Sequence, residues 1–516
     1  MEVELKLSIE PRHIDTLRQL PLLQQYASAP PRTVQMADIY FDTPGLAIRN
    51  SNAGLRVREI DGAWIQTLKG GGSVTSGLHS RYEWEATVAG PQPELDALRK
   101  LVDPHSAWAR LLREPGLDAS LEKAFTTTIR RTIWDVRLPQ GDLVEFALDE
   151  GSIACRDQTV EVSEIELELK SGAPEQLFDF ALKLMDHLPL RLSNSSKAAR
   201  GYGMYQAQAT TAVRAQPVRL ARALTVEEGF RVIAANCLSQ IQGNEAAVLA
   251  GGNPEGVHQM RVGLRRLRSA LKLFKDIAPC PPDLQAELSW LGDELGQARD
   301  WEVLQEATLP RIAAALPEQA ATLEVLKQAS EKLVHEKQRQ AAAAVASPRF
   351  ARLALAFGAW LTGKRWRATL QGNRERKLKA PLTKFSRQAL ARDQAALLRR
   401  GHHLAHADPA ARHRLRIAAK KTRYASEFFH SLYPRKRVKT YVATLTELQD
   451  ALGWLNDAAV ADRLLAELQQ SQASSTELAG AAGFARGYLG AAPELEQPEL
   501  LKLWKRFAGT RPPYRK

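Results

Sequence analysis

In Glu2-Val3-Glu4-Leu5-Lys6-Leu7 charged and apolar residues alternate one by one, and residues two apart in a strand share a face. Glu2, Glu4 and Lys6 therefore project from one side of an extended segment, and Val3, Leu5 and Leu7 from the other. The same wiring returns at Arg56 and Arg58, at Arg81 with Glu83 and Glu85, at Glu145 and Asp149, and at Glu164, Glu166, Glu168 and Lys170, with mostly apolar residues between. Turn signals such as Asp61-Gly62, Gly70-Gly71-Gly72 and Gln140-Gly141-Asp142 separate the segments. Any single segment of this kind reads as an antiparallel strand with one face in water. As a set, the polar faces lack the usual Thr, Ser and Gln and carry carboxylates beside guanidinium groups. Lining a closed barrel, such faces make a hydrophilic tunnel whose outer surface needs cover from helices or another domain.

Buried charge at that density requires partners. A polyanion neutralised by Arg and Lys, with divalent metal held by carboxylates, supplies them. Hard cations such as Mg²⁺ or Mn²⁺ take oxygen ligands, and these faces offer Glu where His and Cys are absent. Arg56, Arg58, Arg81, Arg131 and Arg200 suit bidentate contact with phosphate oxygens, while Lys6, Lys69 and Lys197 suit compact positive charge. No Ser/His/Asp or Cys/His arrangement for nucleophilic catalysis is apparent.

These residues resemble the CYTH, or triphosphate tunnel metalloenzyme, family, whose hallmark Glu-x-Glu-x-Lys is matched by Glu2-Val3-Glu4-Leu5-Lys6. Further elements follow in the family's order: Tyr40-Phe41-Asp42-Thr43, Leu55-Arg56-Val57-Arg58, Thr67-Leu68-Lys69, Arg81-Tyr82-Glu83-Trp84-Glu85, Glu166-Leu167-Glu168 and Ser196-Lys197-Ala198-Ala199-Arg200. The resemblance spans nearly all of residues 1–205. It implies an eight-stranded antiparallel tunnel that hydrolyses the terminal phosphate of a triphosphate with Mg²⁺ or Mn²⁺. It makes Glu2, Glu4, Glu166 and Glu168 metal-ligand candidates, and Lys6, Arg56, Arg58, Lys69, Arg81, Arg131, Lys197 and Arg200 phosphate clamps. Glu4, Lys6, Arg56, Arg58, Glu166 and Glu168 form the catalytic set, acting mainly by positioning and electrostatics. Glu83, Glu85, Glu145 and Asp149 complete a second metal site or balance the basic wall. For Glu145 and Arg131 a plain lumen salt bridge is the alternative.

Helical patches interrupt the strands at about 11–20, 92–113 and 174–187. After an unpatterned joint at 206–222, the chain turns to Leu/Ala/Arg/Glu-rich stretches of helical period. The charge turns with it: residues 1–206 hold 23 basic and 29 acidic side chains, and residues 207–516 hold 48 and 29. The basicity of the chain, net +13 overall, thus belongs to its second part. Two segments there superpose. His258, Arg261, Arg265, Arg266 and Arg268 match His413, Arg416, Lys420, Lys421 and Arg423 at a constant offset of 155, which Phe274 and Phe429 keep. Leu295-Gly296-x-x-Arg299-Asp300 answers Leu452-Gly453-x-x-Asn456-Asp457. This is an internal duplication. His258, Arg261, Arg265, Arg268 and Lys272 lie on one helix stripe, and Met260, Leu264, Leu267, Leu271 and Phe274 on another. The apolar stripe packs into a bundle; the basic one repels itself until a polyanion relieves it. A merely solvated basic face is the bland alternative, and its repetition in both halves speaks against it.

This part resembles the CHAD domain, a conserved-histidine α-helical domain of two similar halves, over about 223–505 with halves at 223–345 and 385–505. The resemblance implies binding of inorganic polyphosphate by His258, Arg261, Arg265, Arg266, Arg268, Lys272, His413, Arg416, Lys420, Lys421 and Arg423. Helix breaks are expected around 371–385 and 404–411, and a frayed basic tail at 506–516. Trp290, Trp301, Trp360 and Trp454 read as core; none interleaves with the basic stripe, as stacking on single-stranded nucleic acid requires. A zinc reading of His402 and His406 lacks an accompanying Cys or carboxylate cluster.

The expected protein is thus a multidomain α+β chain: a β tunnel at 1–205 and an all-α domain behind it. Three scattered cysteines and no basic or apolar leader point to a soluble, cytoplasmic protein. The expected activity is an inorganic triphosphatase acting on tripolyphosphate, with long-chain polyphosphate as partner and neither specific nucleic acid nor membrane. The alternatives are a non-catalytic polyphosphate scaffold, or a tunnel acting on ATP, as cyclase or triphosphatase, or on thiamine triphosphate.

Overall fold

The computed structural model describes residues 2–60, 62–75, 77–206, 210–251, 254–471 and 475–515. The chain forms two compact units, Met1–Thr210 with Ser347–Arg365, and Thr211–Ala346 with Trp366–Lys516.

The alternating segments of the first unit become the strands β1 (Glu2–Ser8), β2 (Arg32–Asp42), β3 (Ala53–Ile60), β4 (Ala63–Thr75), β5 (Leu78–Val88), β6 (Glu122–Arg137), β7 (Leu143–Cys155) and β8 (Gln158–Ser171). They neighbour one another in the order β5-β4-β3-β2-β6-β7-β8-β1, and β1 pairs back onto β5, closing an eight-stranded antiparallel barrel. A two-residue strand, β9 (Arg191–Leu192), adds to β1 outside that circuit. Register turns the period of two into a continuous inner wall: Glu4 stands opposite Glu168, Lys6 opposite Glu166, Asp149 opposite Glu164, Arg58 opposite Asp38 and Lys69 opposite Glu83. The other side of the strands is apolar and covered, as the charged lumen requires. Leu55, Val57 and Leu68 pack under the helices Leu95–Leu101 and Ala107–Leu112. Leu5, Leu7, Phe146, Leu148, Ile165 and Leu167 pack under the helix Glu175–Met185.

One covering element comes from elsewhere in the sequence. Residues between the two halves of the repeat were assigned to the helical domain, yet the helix Pro348–Thr362 belongs to the barrel unit. The physical reason is its composition. Leu353 to Leu361 is apolar nearly all round, a pattern that needs burial on more than one side. Ala351, Ala354, Leu355 and Ala359 join the core beneath Glu175–Met185.

In the second unit the helical period yields the helices Val226–Gly243, Pro254–Leu273, Pro282–Val303 and Ala320–Ala346, then Leu382–Gly401, Pro409–Phe428, Arg435–Ser471 and Thr476–Ala508. Thr225 and Glu228 start the first with a reciprocal capping box. The duplication is visible in the packing: Phe274 and Phe429 lie 6.4 Å apart, both against Phe385. The expected break at 371–385 holds only the short helix Asn373–Leu378 before Leu382, and that at 404–411 holds a single turn, Leu404–His406, before the helix that starts at Pro409. Residues 207–209 of the joint lie outside the described residues, and 210–222 form neither helix nor strand. The tail does not fray as expected, because its prolines are apolar: Pro512 and Pro513 are buried, the Tyr514 hydroxyl donates to Gln394, and Arg437 donates to the Arg515 carbonyl at 2.9 Å. Among the described residues no helix is long and apolar enough to cross a membrane.

Candidate functional site

A cavity of about 530 Å³ lies inside the barrel, and every tunnel residue singled out from the sequence lines it except Glu164, Lys170 and Arg200. Alternation explains why: the side chains at 2, 4 and 6, at 56 and 58, at 81, 83 and 85, and at 164, 166 and 168 leave their strands on one face. Lys6 Nζ is 2.9 Å from Glu4 and bonded to Glu166. Lys69 reaches Glu2 at 2.8 Å and Glu83 at 3.2 Å, and Arg56 stands 3.6 Å from Glu83. Glu85 accepts a bond from the Thr67 hydroxyl at 2.9 Å. Arg81 has no ion pair among the described residues, so its guanidinium is available to an incoming anion. Burial alone would lower the Lys6 ammonium; Glu166 and Glu4 overcome it and hold it above its ordinary value.

Two groups of carboxylates differ in what already balances them. Asp149, Glu164 and Glu166 bring oxygens within 4.8 Å of one another, a spacing a cation would accept. Side chains occupy that position. Lys197 Nζ lies 2.6 Å from Asp149 and 3.0 Å from Glu166 and touches Glu164. Arg131 grips Asp149 with two bonds, at 2.7 and 2.6 Å, and reaches Glu166. Arg200, away from the cavity, is bonded to Glu164. Although burial opposes ionisation, Lys197, Lys6 and Arg131 hold the Glu166 carboxyl well below its ordinary range.

Glu2, Glu4, Glu145 and Glu168 form the second group. Glu168 stands opposite both Glu4 and Glu145. Burial raises its carboxyl above the ordinary range; Lys170, 2.8 Å away, opposes the rise, and Glu2 and Glu145 add to it. Among the described residues these four acids do not share the mutual spacing of the Asp149 group; their all-oxygen donors suit a hard divalent cation in chemistry, and such a cation would relieve their repulsion. That argument favours Glu2, Glu4 and Glu168, each paired with a single lysine, over Asp149 and Glu166, each of which faces two or three cationic side chains.

Sequence reasoning missed Asp38. It is 3% exposed, binds Arg58 through both oxygens, with Nη2 at 2.9 Å, and stands 3.6 Å from Arg56. Glu164 was noted only as part of a charged face, yet it anchors Lys197 and Arg200.

In the helical unit a cavity of about 700 Å³ is lined by Arg265, Arg268, Lys272, Lys420 and Lys421 from both stripes, and by Lys275. Lys275 follows Lys272 at helical spacing, a signal that extending the stripe by one turn would have caught. Burial, then Arg416 and Arg265, push the Lys420 ammonium down to about 7. Six expected anion ligands do not line this cavity. Arg266 turns into the bundle, donating to Gln240 and Asn236 at 2.7 Å each and lying over the Phe428 ring. Arg423 pairs with Glu427 at 3.4 Å. Arg261 and Arg416 pair with Asp300 and Asp457. His413 is exposed, and His258 is held down to about 4 by burial and then Arg299, so it is uncharged at neutral pH. His402 and His406 belong to no group with metal-ligand spacing among the described residues.

The family model of the CYTH domain matches residues 1–202, and that of the CHAD domain matches residues 232–466. An inorganic triphosphatase of Haemophilus influenzae is 33% identical over 201 residues, 39% of this chain and 54% of that protein. The match therefore spans about half the length of that relative. The crystal structure of the CHAD domain from the plant Ricinus communis is 44% identical, with a TM-score of 0.52, covering 59% of this chain and 98% of that one. The chain belongs to the proteins that carry a CYTH domain, here at residues 1–202, followed by a CHAD domain, here at 232–466.

Proposed function

We propose that the chain is a divalent-metal-dependent inorganic triphosphatase that splits tripolyphosphate into diphosphate and phosphate inside the barrel, and that its helical unit binds inorganic polyphosphate. The observation that carries the reading is the composition of one cavity. Eight cations, Lys6, Arg49, Arg56, Arg58, Lys69, Arg81, Arg131 and Lys197, line it together with the acids Glu2, Glu4, Glu145 and Glu168. The name of the Haemophilus relative supports the same chemistry.

The arginines present planar forks to phosphate oxygens, and the lysines supply compact charge between them. Asp38 and Asp149 hold Arg58 and Arg131 before substrate arrives, so little reorganisation remains at the moment of reaction. Glu2, Glu4 and Glu168 would hold Mg²⁺ or Mn²⁺, which when bound would add positive charge beside the phosphates. Enclosure by the barrel keeps the triphosphate in line and limits water around the reacting phosphorus.

Phosphate release from tripolyphosphate, ATP, thiamine triphosphate and long polyphosphate with Mg²⁺ or Mn²⁺ tests the reading. Tripolyphosphate is expected to be cut best, and Glu4→Ala to lose about 100-fold or more in kcat/KM while keeping its circular dichroism. No release from the wild type, or an unchanged Glu4→Ala, would remove the enzyme and leave a phosphate-binding scaffold. Cyclic AMP from ATP would make it a cyclase. For the helical unit, preference for duplex DNA over polyphosphate at matched salt would overturn the assignment.

A further inference from the structure

One cation of the tunnel does not come from the charged strand faces. Arg49 lines the barrel cavity from the short helix Ala47–Asn50, which joins β2 to β3. Around the closed circuit β2 stands directly across from β1, which carries Glu2 and Glu4. The turn that presents Arg49 is set in advance. The Asp42 carboxylate accepts the Thr43 amide at 2.8 Å and the Ile48 and Arg49 amides at 2.9 Å each, and the Thr43 hydroxyl accepts the Ala47 amide at 3.0 Å. On either side of the helix Leu46 and Asn52 hold left-handed φ angles of 57° and 56°. Residues with a side chain keep that conformation only where their surroundings impose it.

The Asp42 oxygens serve the backbone, and the Arg49 guanidinium has no ion pair among the described residues. It rests on Tyr202 instead: Nη1 donates to the Tyr202 carbonyl at 3.3 Å, and Cζ lies 5.4 Å from the ring centroid. The lining that packs with Tyr202, namely Met36, Tyr40 and Ile129, is uncharged. It offers a nucleobase no ring to stack on. Tyr40 is 7% exposed and stacks on Phe125 at 4.5 Å; Tyr202 is 3% exposed, meets the same ring edge-on at 5.1 Å and lies under Arg49. A fixed, unpaired guanidinium beside rings without a free face suits an anion. The end phosphate of an inorganic chain keeps a charged oxygen where an organic triphosphate carries an ester, and a planar donor aimed at that oxygen tells the two apart. Resting on the triphosphatase reading of the tunnel, we infer that Arg49 is a specificity-determining residue. It binds the uncut end of tripolyphosphate, remote from the acids of β1, and so favours a chain with two free ends over one that carries an organic ester.

The test is kcat and KM of the full chain for tripolyphosphate and for its monomethyl ester, in which a small neutral group replaces one charged end oxygen. The wild type is expected to prefer tripolyphosphate about 10-fold or more in kcat/KM. Arg49→Gln should raise KM for tripolyphosphate about 10-fold or more with kcat within about threefold, and raise KM for the ester far less, so that the preference shrinks to about threefold or below. Arg49→Lys, which keeps the charge, should recover part of it. Equal losses on the two substrates would make Arg49 a support of the tunnel wall and overturn the inference, as would an unchanged preference. Where Arg49→Gln fails to fold, the wild type still decides, because equal kcat/KM for tripolyphosphate and its ester would mean that the free end is not read. A wild type that releases phosphate from neither compound would sink the triphosphatase reading itself, an outcome distinct from these.

Discussion

Asp38 carries two of the cations expected to hold phosphate. Burial alone would raise its carboxyl, but the Arg58 hydrogen bond and the charge of Arg56 hold it down to about 2 from an ordinary 3.8. The sign follows: a carboxyl whose pKa falls on folding stabilises the fold above the unfolded value, and that contribution is lost as pH falls through about 2. Its size is on the order of 2 kcal/mol. Asp38→Asn is therefore expected to unfold at lower urea than the wild type at neutral pH, with the gap closing below about pH 4. A gap that stays constant down to about pH 2 would deny the ion pair this role. The residue escaped sequence reading because its strand face is not a charged one: Met36 and Tyr40 flank it two positions away. Repeated charge at spacing two revealed Arg56 and Arg58, whereas a lone acid between apolar residues gives no such signal. The basic stripes failed in the opposite way. Spacing put His258, Arg261 and Arg265 on one helix face, but which of them an acid from another helix neutralises is a tertiary fact.

The helix Lys197–Tyr205 links one catalytic candidate to the packing of a whole element. Ser196 caps its start by accepting the Ala199 amide at 3.2 Å, which fixes where Lys197 leaves the backbone. Two glycines further along look alike in sequence and differ in surroundings. A Cβ on Gly201 would stand 2.3 Å from the Phe125 ring of β6, whereas one on Gly203 would meet nothing within 4 Å. Gly201→Ala is thus expected to destabilise the barrel unit by about 1–3 kcal/mol and, by tilting the helix, to lower kcat/KM for tripolyphosphate. Gly203→Ala, in the same helix, should be neutral or stabilising by up to about 1 kcal/mol. Thermal unfolding and phosphate release of the pair check this, and equal effects at both positions would show that close packing on Phe125 is not what matters. At this scale the sequence was most informative: alternation located the charged strands because every residue of a barrel strand faces either lumen or cover. Their closure through β1 and β5 was implied only by the family resemblance.

Across the whole molecule, the chain's order and its units part company at Ser347–Arg365. The stripe duplication suggests two helical halves, yet periodicity says only that Pro348–Thr362 is a buried helix, never which core buries it. Leu355 is fully buried in the barrel unit's core with Leu177 and Phe178, although it lies far beyond the last barrel strand in sequence. Leu355→Ala removes buried methyl groups and leaves a cavity, a change that costs about 2–5 kcal/mol. That cost is expected to fall on the barrel. In the full chain, the temperature at which tripolyphosphate hydrolysis is lost should drop, while polyphosphate binding by the helical unit survives to the wild-type temperature. Arg352→Ala is the control, since its exposed pair with Asp186 at 2.8 Å is worth under about 1 kcal/mol. Loss of both activities at one lowered temperature would instead mean that the helix serves the two units alike. The same packing predicts how a shortened chain behaves: a fragment ending at residue 206 keeps every strand of the barrel but leaves the core beside Leu177 and Phe178 without its covering helix. Its tunnel should therefore be less stable than that of the full chain, even with every tunnel side chain intact.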